Sequence, residues 1–153
     1  MKKMTRSFAA ICTVLGAATS FTVLTAPAAS AAVSCSGTII YDRTIYSGAN
    51  PVAELTIYYN STNGGTNSAC VYHRGAYYGV ARHTAVQIHR CAERSPGSGC
   101  TFTASSPTDS GNYAYQAGPV GVTGTANYCV YAEGEMALNS TTTVYFGSAR
   151  QGC

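Results

Sequence analysis

The sequence predicts an all-β, disulfide-stabilised fold, an antiparallel sandwich or barrel of about eight short strands. Three observations lead there: a composition rich in Tyr, Thr, Val, Gly, Ser and Asn, period-two hydrophobic alternation broken by turn residues, and an even set of cysteines. The clearest strand is Ala53-Glu54-Leu55-Thr56-Ile57-Tyr58-Tyr59, with apolar residues at 53, 55, 57 and 59. Such alternation buries one face of a strand and leaves the other wet. Asn63-Gly64-Gly65 follows, and Asn and Gly accept the positive φ of tight turns, so 53–73 reads as a hairpin whose return strand is 68–73. Further strands are expected at 38–46, 76–82, 84–91, 100–105, 112–117, 119–123, 126–132 and 141–147, separated by Gly, Pro, Asn and Asp clusters. Glu133 to Leu138 is the one stretch with the composition of a helical turn.

The first residues have a different logic. Lys2, Lys3 and Arg6 precede an apolar, Ala-rich run from Phe8 to about Leu24, and Ala29-Ser30-Ala31 fits a small-residue cleavage site. Residues 1–31 therefore read as a secretory signal peptide and 32–153 as a single secreted β domain. Cys12 leaves with the signal, and Cys35, Cys70, Cys91, Cys100, Cys129 and Cys153 remain. In an exported chain these predict three disulfides. Six cysteines allow fifteen pairings. Cys91 and Cys100 flank a turn-rich loop and are the favoured local pair, worth roughly 2.5–3 kcal/mol in the chain-entropy model. The pairing of Cys35, Cys70, Cys129 and Cys153 stays open at this point. A metal site would need Cys or His at ligand spacing, which is missing, so no metal and no cofactor are expected.

Charge narrows the partners. From residue 32 onward, Arg43, Arg74, Arg82, Arg90, Arg94 and Arg150 balance Asp42, Glu54, Glu93, Asp109, Glu133 and Glu135, and no lysine follows Lys3. A neutral domain lacks the footprint of a nucleic-acid binder, and anionic membranes are unsuited for the same reason. No apolar run of spanning length follows the signal.

At Asp109-Ser110-Gly111-Asn112-Tyr113, followed by Tyr115-Gln116-Ala117-Gly118-Pro119-Val120 and then Asn127-Tyr128-Cys129-Val130, the chain resembles the small secreted spore-associated protein A group of filamentous actinobacteria. Leu55-Thr56-Ile57-Tyr58-Tyr59-Asn60-Ser61 and Cys70-Val71 are similar to that group as well. The resemblance implies secretion and association with spores or the cell surface, and it carries no established chemistry. Cys91, Cys100 and the His- and Arg-bearing segment 73–94 stand outside the shared pattern.

Candidate sites follow from chemistry. His83, Gln87 and His89 share parity and would project from one strand face, with Val86 and Ile88 pointing inward. Two histidines six residues apart on a strand lie about 20 Å apart, too far to share one metal. Glu133 and Glu135 are the only close carboxylate pair, expected as solvated loop residues. No G-x-S-x-G turn frames any serine. The Cys91–Cys100 loop presents Arg94-Ser95 ahead of Pro96, an arrangement suited to a serine-protease inhibitor with Arg94 as specificity residue. Tyr72, Tyr77, Tyr78, Tyr113 and Tyr115 offer flat amphipathic faces for sugars, wall polymers or proteins.

The reading is a secreted, non-enzymatic spore- or cell-surface-associated binding protein using those tyrosines. The alternatives are an inhibitor of an extracellular protease through Arg94 and Ser95, and a small extracellular hydrolase.

Overall fold

A computed structural model describes residues 33–153; the signal-peptide reading of 1–31 lies outside them. Nine strands follow in order: β1 (Thr38–Ser47), β2 (Asn50–Asn60), β3 (Thr66–His73), β4 (Arg82–Cys91), β5 (Phe102–Ser105), β6 (Asp109–Tyr113), β7 (Gln116–Thr123), β8 (Val130–Ala137) and β9 (Thr143–Gly147). They form two antiparallel sheets that face each other without closing. Sheet A runs β1-β2-β3-β7, and sheet B runs β5-β4-β8-β9, with β6 also paired to β4. The expected sandwich-or-barrel choice thus resolves as a sandwich.

The alternation in β2 sets the core. Leu55 lies opposite Val71 and Ile57 opposite Ala69, so these four project from one face of sheet A. From sheet B, Val86, Ile88, Val130 and Met136 complete the interior, all of them buried. Truncating Leu55 or Ile88 to alanine removes contacts worth about 2–5 kcal/mol. Pro119 is accommodated because β7 is an edge strand of sheet A and its ladder with β3 shifts register between Val71 and Ala69, where Gly118 and Pro119 fall outside regular pairing.

Three expectations need correction. Residues 76–82 do not form a strand: a 3-10 turn spans Gly75–Tyr77, and Gly75 and Gly79 take positive φ, so β4 begins only at Arg82. The stretch 133–138 is not helical but lies in and just beyond β8, where Ala132 and Met136 point inward while Tyr131, Glu133 and Glu135 point outward. Small inner residues Ala132 and Gly134 hide that alternation from a hydropathy reading. Finally, the expected strands at 112–117 and 119–123 are divided differently, with β6 ending at Tyr113 and β7 running unbroken from Gln116.

The cysteines pair as Cys35–Cys70, Cys91–Cys100 and Cys129–Cys153. The first fastens the segment before β1 onto the outer face of sheet A. The second closes the loop between β4 and β5, and the third ties the C-terminus to the residue preceding β8. Three disulfides fit an oxidising, extracellular setting. Among the described residues no helix is long and apolar enough to cross a membrane.

Candidate functional site

The two outer faces differ in what covers them. On sheet A, Ser68 and Cys70 face outward yet are buried, with Ser34 and Cys35 fastened onto them, and the buried, outward Thr56 donates to Asp42 at 3.3 Å. Ser68 donates its hydroxyl hydrogen to the Ser34 carbonyl at 2.7 Å, and a Cβ on Gly121 would come within 2.7 Å of Val33. On sheet B the outward residues of β4, β8 and β9 stand in register: Ala85 beside Glu135 beside Tyr145, and Gln87 beside Glu133 beside Gly147. All but Gly147 border a cleft of about 630 Å3 lined also by Thr108, Ser110 and Tyr131. Tyr145, at 77% exposure, is the most exposed large hydrophobic side chain among the described residues.

Strand parity puts His83, Gln87 and His89 on this face, and the register supplies each imidazole with a carboxylate. His83 Nε2 lies 3.3 Å from Glu135 Oε1, and His89 Nε2 lies 3.4 Å from Glu133 Oε1. Glu133 and Glu135 are therefore fixed on a strand, not solvated in a loop. Gln87 donates to the Ser106 carbonyl at 2.8 Å. The two histidines serve separate carboxylates. Among the described residues, the one group of three possible metal ligands within reach of each other is Cys91, Glu93 and Cys100, and its two sulfurs are joined in a disulfide.

His73 lies on the other face of its strand, buried between the sheets. Its Nδ1 is 3.3 Å from the Tyr77 carbonyl, and its Nε2 is 2.7 Å from Thr84 Oγ1. Because a carbonyl only accepts, the neutral ring carries its proton on Nδ1 and accepts from Thr84 at Nε2. Burial depresses its pKa below the usual histidine value.

The five tyrosines expected to bind gather at one end of the molecule, around the 73–82 connection and the β6–β7 turn, but three of them are occupied. Tyr72 shares a 2.9 Å hydrogen bond with Tyr58, and its hydroxyl pKa is raised chiefly by burial and next by that bond. Tyr77 packs against the core with Arg82 over its ring. Tyr113 also packs against the core and donates to Asp109 at 2.5 Å, which raises its pKa. Tyr78 and Tyr115 remain exposed, at 63% and 56%, and meet edge to face with centroids 5.1 Å apart.

The Arg94-Ser95 loop is braced on both sides. The Arg94 guanidinium lies 4.6 Å from the Tyr128 ring centroid and donates to its hydroxyl at 2.9 Å. Arg150 N donates to the Gly97 carbonyl at 3.0 Å, while Glu93 accepts from the Thr101 backbone and hydroxyl, which holds its pKa down. Arg94 therefore rests on the protein's own surface.

Sequence reasoning missed Tyr131, Tyr145, Phe102 and Ser105. They come from β8, β9 and β5, and no local pattern ties them to β4. Only the parity of His83, Gln87 and His89 pointed at this face. No protein-family model matches the chain, and neither curated proteins nor solved structures are significantly similar to it.

Proposed function

We propose that the protein is an extracellular, surface-associated binding domain, of the spore-associated kind its sequence resembles, and that its ligand lies on the outer face of sheet B. The observation that carries this reading is the cleft bordered by Tyr131, Tyr145, Glu133 and Glu135, with Thr108 and Ser110 at its side, on a face where Tyr145 stands 77% exposed. An exposed tyrosine beside fixed carboxylates suits a hydroxyl- or amine-bearing polymer: the ring stacks on an apolar face and the carboxylates accept hydrogen bonds. Tyr78 and Tyr115 form a second, smaller aromatic surface that could share the same polymer.

The test is co-sedimentation of the oxidised protein with spores, peptidoglycan, chitin and cellulose, with reduced protein as control. Retention on at least one of them that survives high salt and weakens roughly tenfold in Tyr145→Ala supports the reading. No retention on any of the four would overturn it. Retention insensitive to Tyr145→Ala but lost in Tyr115→Ala would move the ligand to the tyrosine pair.

A further inference from the structure

At the β5 end of the same face, three side chains from three strands form a hydroxyl–imidazole–carboxylate relay. His89 lies opposite Ser105 on one side and Tyr131 on the other, so these share a face, with Glu133 in the next row. Ser105 Oγ is 2.7 Å from His89 Nδ1, and His89 Nε2 is 3.4 Å from Glu133 Oε1. A carboxylate can only accept, so Glu133 selects the tautomer with the proton on Nε2. That leaves the Nδ1 lone pair to accept from the Ser105 hydroxyl. The ring cannot swing freely: Phe102 stacks on it at 3.8 Å with an interplanar angle of 2°, and the imidazole side chain is only 4% exposed. Ser105 itself is exposed. The neighbouring Ser106 is buried, and its hydroxyl accepts from the Ile88 N–H.

We infer that Ser105 is an activated nucleophile, with His89 as its general base and Glu133 as the residue that positions the base, acting on carboxylic esters. An activated serine needs a base that a third group orients, and this geometry supplies both. In the step, Ser105 Oγ bonds to the acyl carbon as the carbonyl π pair moves onto the carbonyl oxygen, while the Ser105 proton passes to His89 Nδ1. The carbonyl then re-forms as the bond from that carbon to the leaving alcohol oxygen breaks and the same proton passes to that oxygen. Water repeats the sequence on the acyl-serine, releasing the carboxylic acid and restoring Ser105. Glu133 borders the binding cleft as well, so esters carried by a ligand on this face are the fitting substrates. The inference departs from the expectation of a non-enzymatic domain and goes beyond retention on a surface.

The oxidised protein is treated with a fluorophosphonate probe, and the adduct is mapped by mass spectrometry while hydrolysis of p-nitrophenyl acetate is followed. The expected result is one adduct, on Ser105, absent in Ser105→Ala. The labelling rate should fall by about 10²–10⁴-fold in His89→Gln. Because His89 is buried and that variant can misfold, Glu133→Gln is the second arm. Its side chain is 45% exposed, and it should label at least roughly tenfold more slowly with an unchanged Tm. Absence of any adduct on Ser105, equal labelling of Ser105→Ala, or wild-type labelling of Glu133→Gln would each overturn the relay. Ser105→Ala should still be retained on the polymer, so loss of labelling with retention intact separates this inference from the binding reading.

Discussion

The outer faces of sheets A and B are built from the same kind of strand and have opposite fates. On sheet A, the segment before β1 lies across β3, stapled through Cys35–Cys70 and hydrogen-bonded through Ser68, so polar residues there are buried and paired. On sheet B, nothing among the described residues lies over β8 and β9, and polar and aromatic residues stand out beside a cleft. Covering a sheet face consumes its hydrogen-bonding capacity in stability, whereas leaving it open keeps that capacity for a ligand. On the binding reading proposed above, the two faces separate structural from functional work.

The largest effect should come from uncovering sheet A. Cys35→Ala with Cys70→Ala removes a crosslink spanning 35 residues. The chain-entropy model makes that about 3–4 kcal/mol, or a Tm drop of roughly 10–20 °C. Thermal unfolding followed by circular dichroism measures it. Hydrogen exchange at 20 °C should show faster exchange in β3 and β7 and little change in β8. If protection falls equally on both sheets, the segment staples the whole sandwich and the contrast between the faces is lost.

The interior that both faces share gives the next test. His73 is a buried base whose pKa is depressed by desolvation, so the unfolded chain takes up its proton more readily. Stability from this group is fully present above the unfolded value of about 6.5 and is lost as pH falls through it toward the folded value. Denaturant midpoints measured between pH 8 and pH 5 should decline on the acid side. His73→Gln should lower the midpoint at pH 8 and flatten that decline. An unchanged slope in the variant would assign the acid sensitivity elsewhere. Glu93, held down by the Thr101 hydrogen bonds, is another candidate, but its contribution is lost only as pH falls through the usual carboxylate range toward its lower folded value, below the His73 window.

A smaller effect isolates one contact of the covered face. Ser68→Ala leaves the Ser34 carbonyl without its partner at a half-buried site, a cost of about 1 kcal/mol. A calorimetric Tm lowered by roughly 3–6 °C is expected. No change would mean that water replaces the hydroxyl and that the segment is held by its disulfide alone.

This contrast was only half legible in the sequence. The alternation around Leu55 and Ile57 and the turn residues after it fix the β class and the β2–β3 hairpin, because each is a local property. The Cys91–Cys100 pair is local too, closing a loop that two short strands already bring together. The site is different. Ser105, Glu133 and Tyr145 reach His89 and Ala85 only through strand register, which depends on which strands become neighbours, and periodicity carries no information about that. The β8 segment was also hidden, since Glu, Met and Ala favour helix in isolation and yield here to pairing on both sides. The tyrosines are conspicuous in composition, but composition does not separate Tyr78 and Tyr115, which stay exposed, from Tyr72 and Tyr113, whose hydroxyls bond within the fold, or Tyr77, whose ring packs against the core.

The smallest stability effect tests the open face most sharply. Tyr145 touches solvent over most of its surface, so Tyr145→Ala should change the unfolding free energy by no more than about 0.5 kcal/mol. Glu135→Gln should be similarly mild, because its neighbour His83 is itself about half exposed and such surface pairs contribute little. Against that quiet background, a tenfold loss of retention in Tyr145→Ala would be a loss of ligand contact and not of fold. The paired measurement is what decides. A residue kept for structure lowers Tm when removed, as Ser68 should, whereas a residue kept for a ligand lowers retention at constant Tm. If Tyr145→Ala instead unfolds the domain several degrees early with retention unchanged, the outer face of sheet B is as structural as that of sheet A, and the cleft is only the space between its side chains.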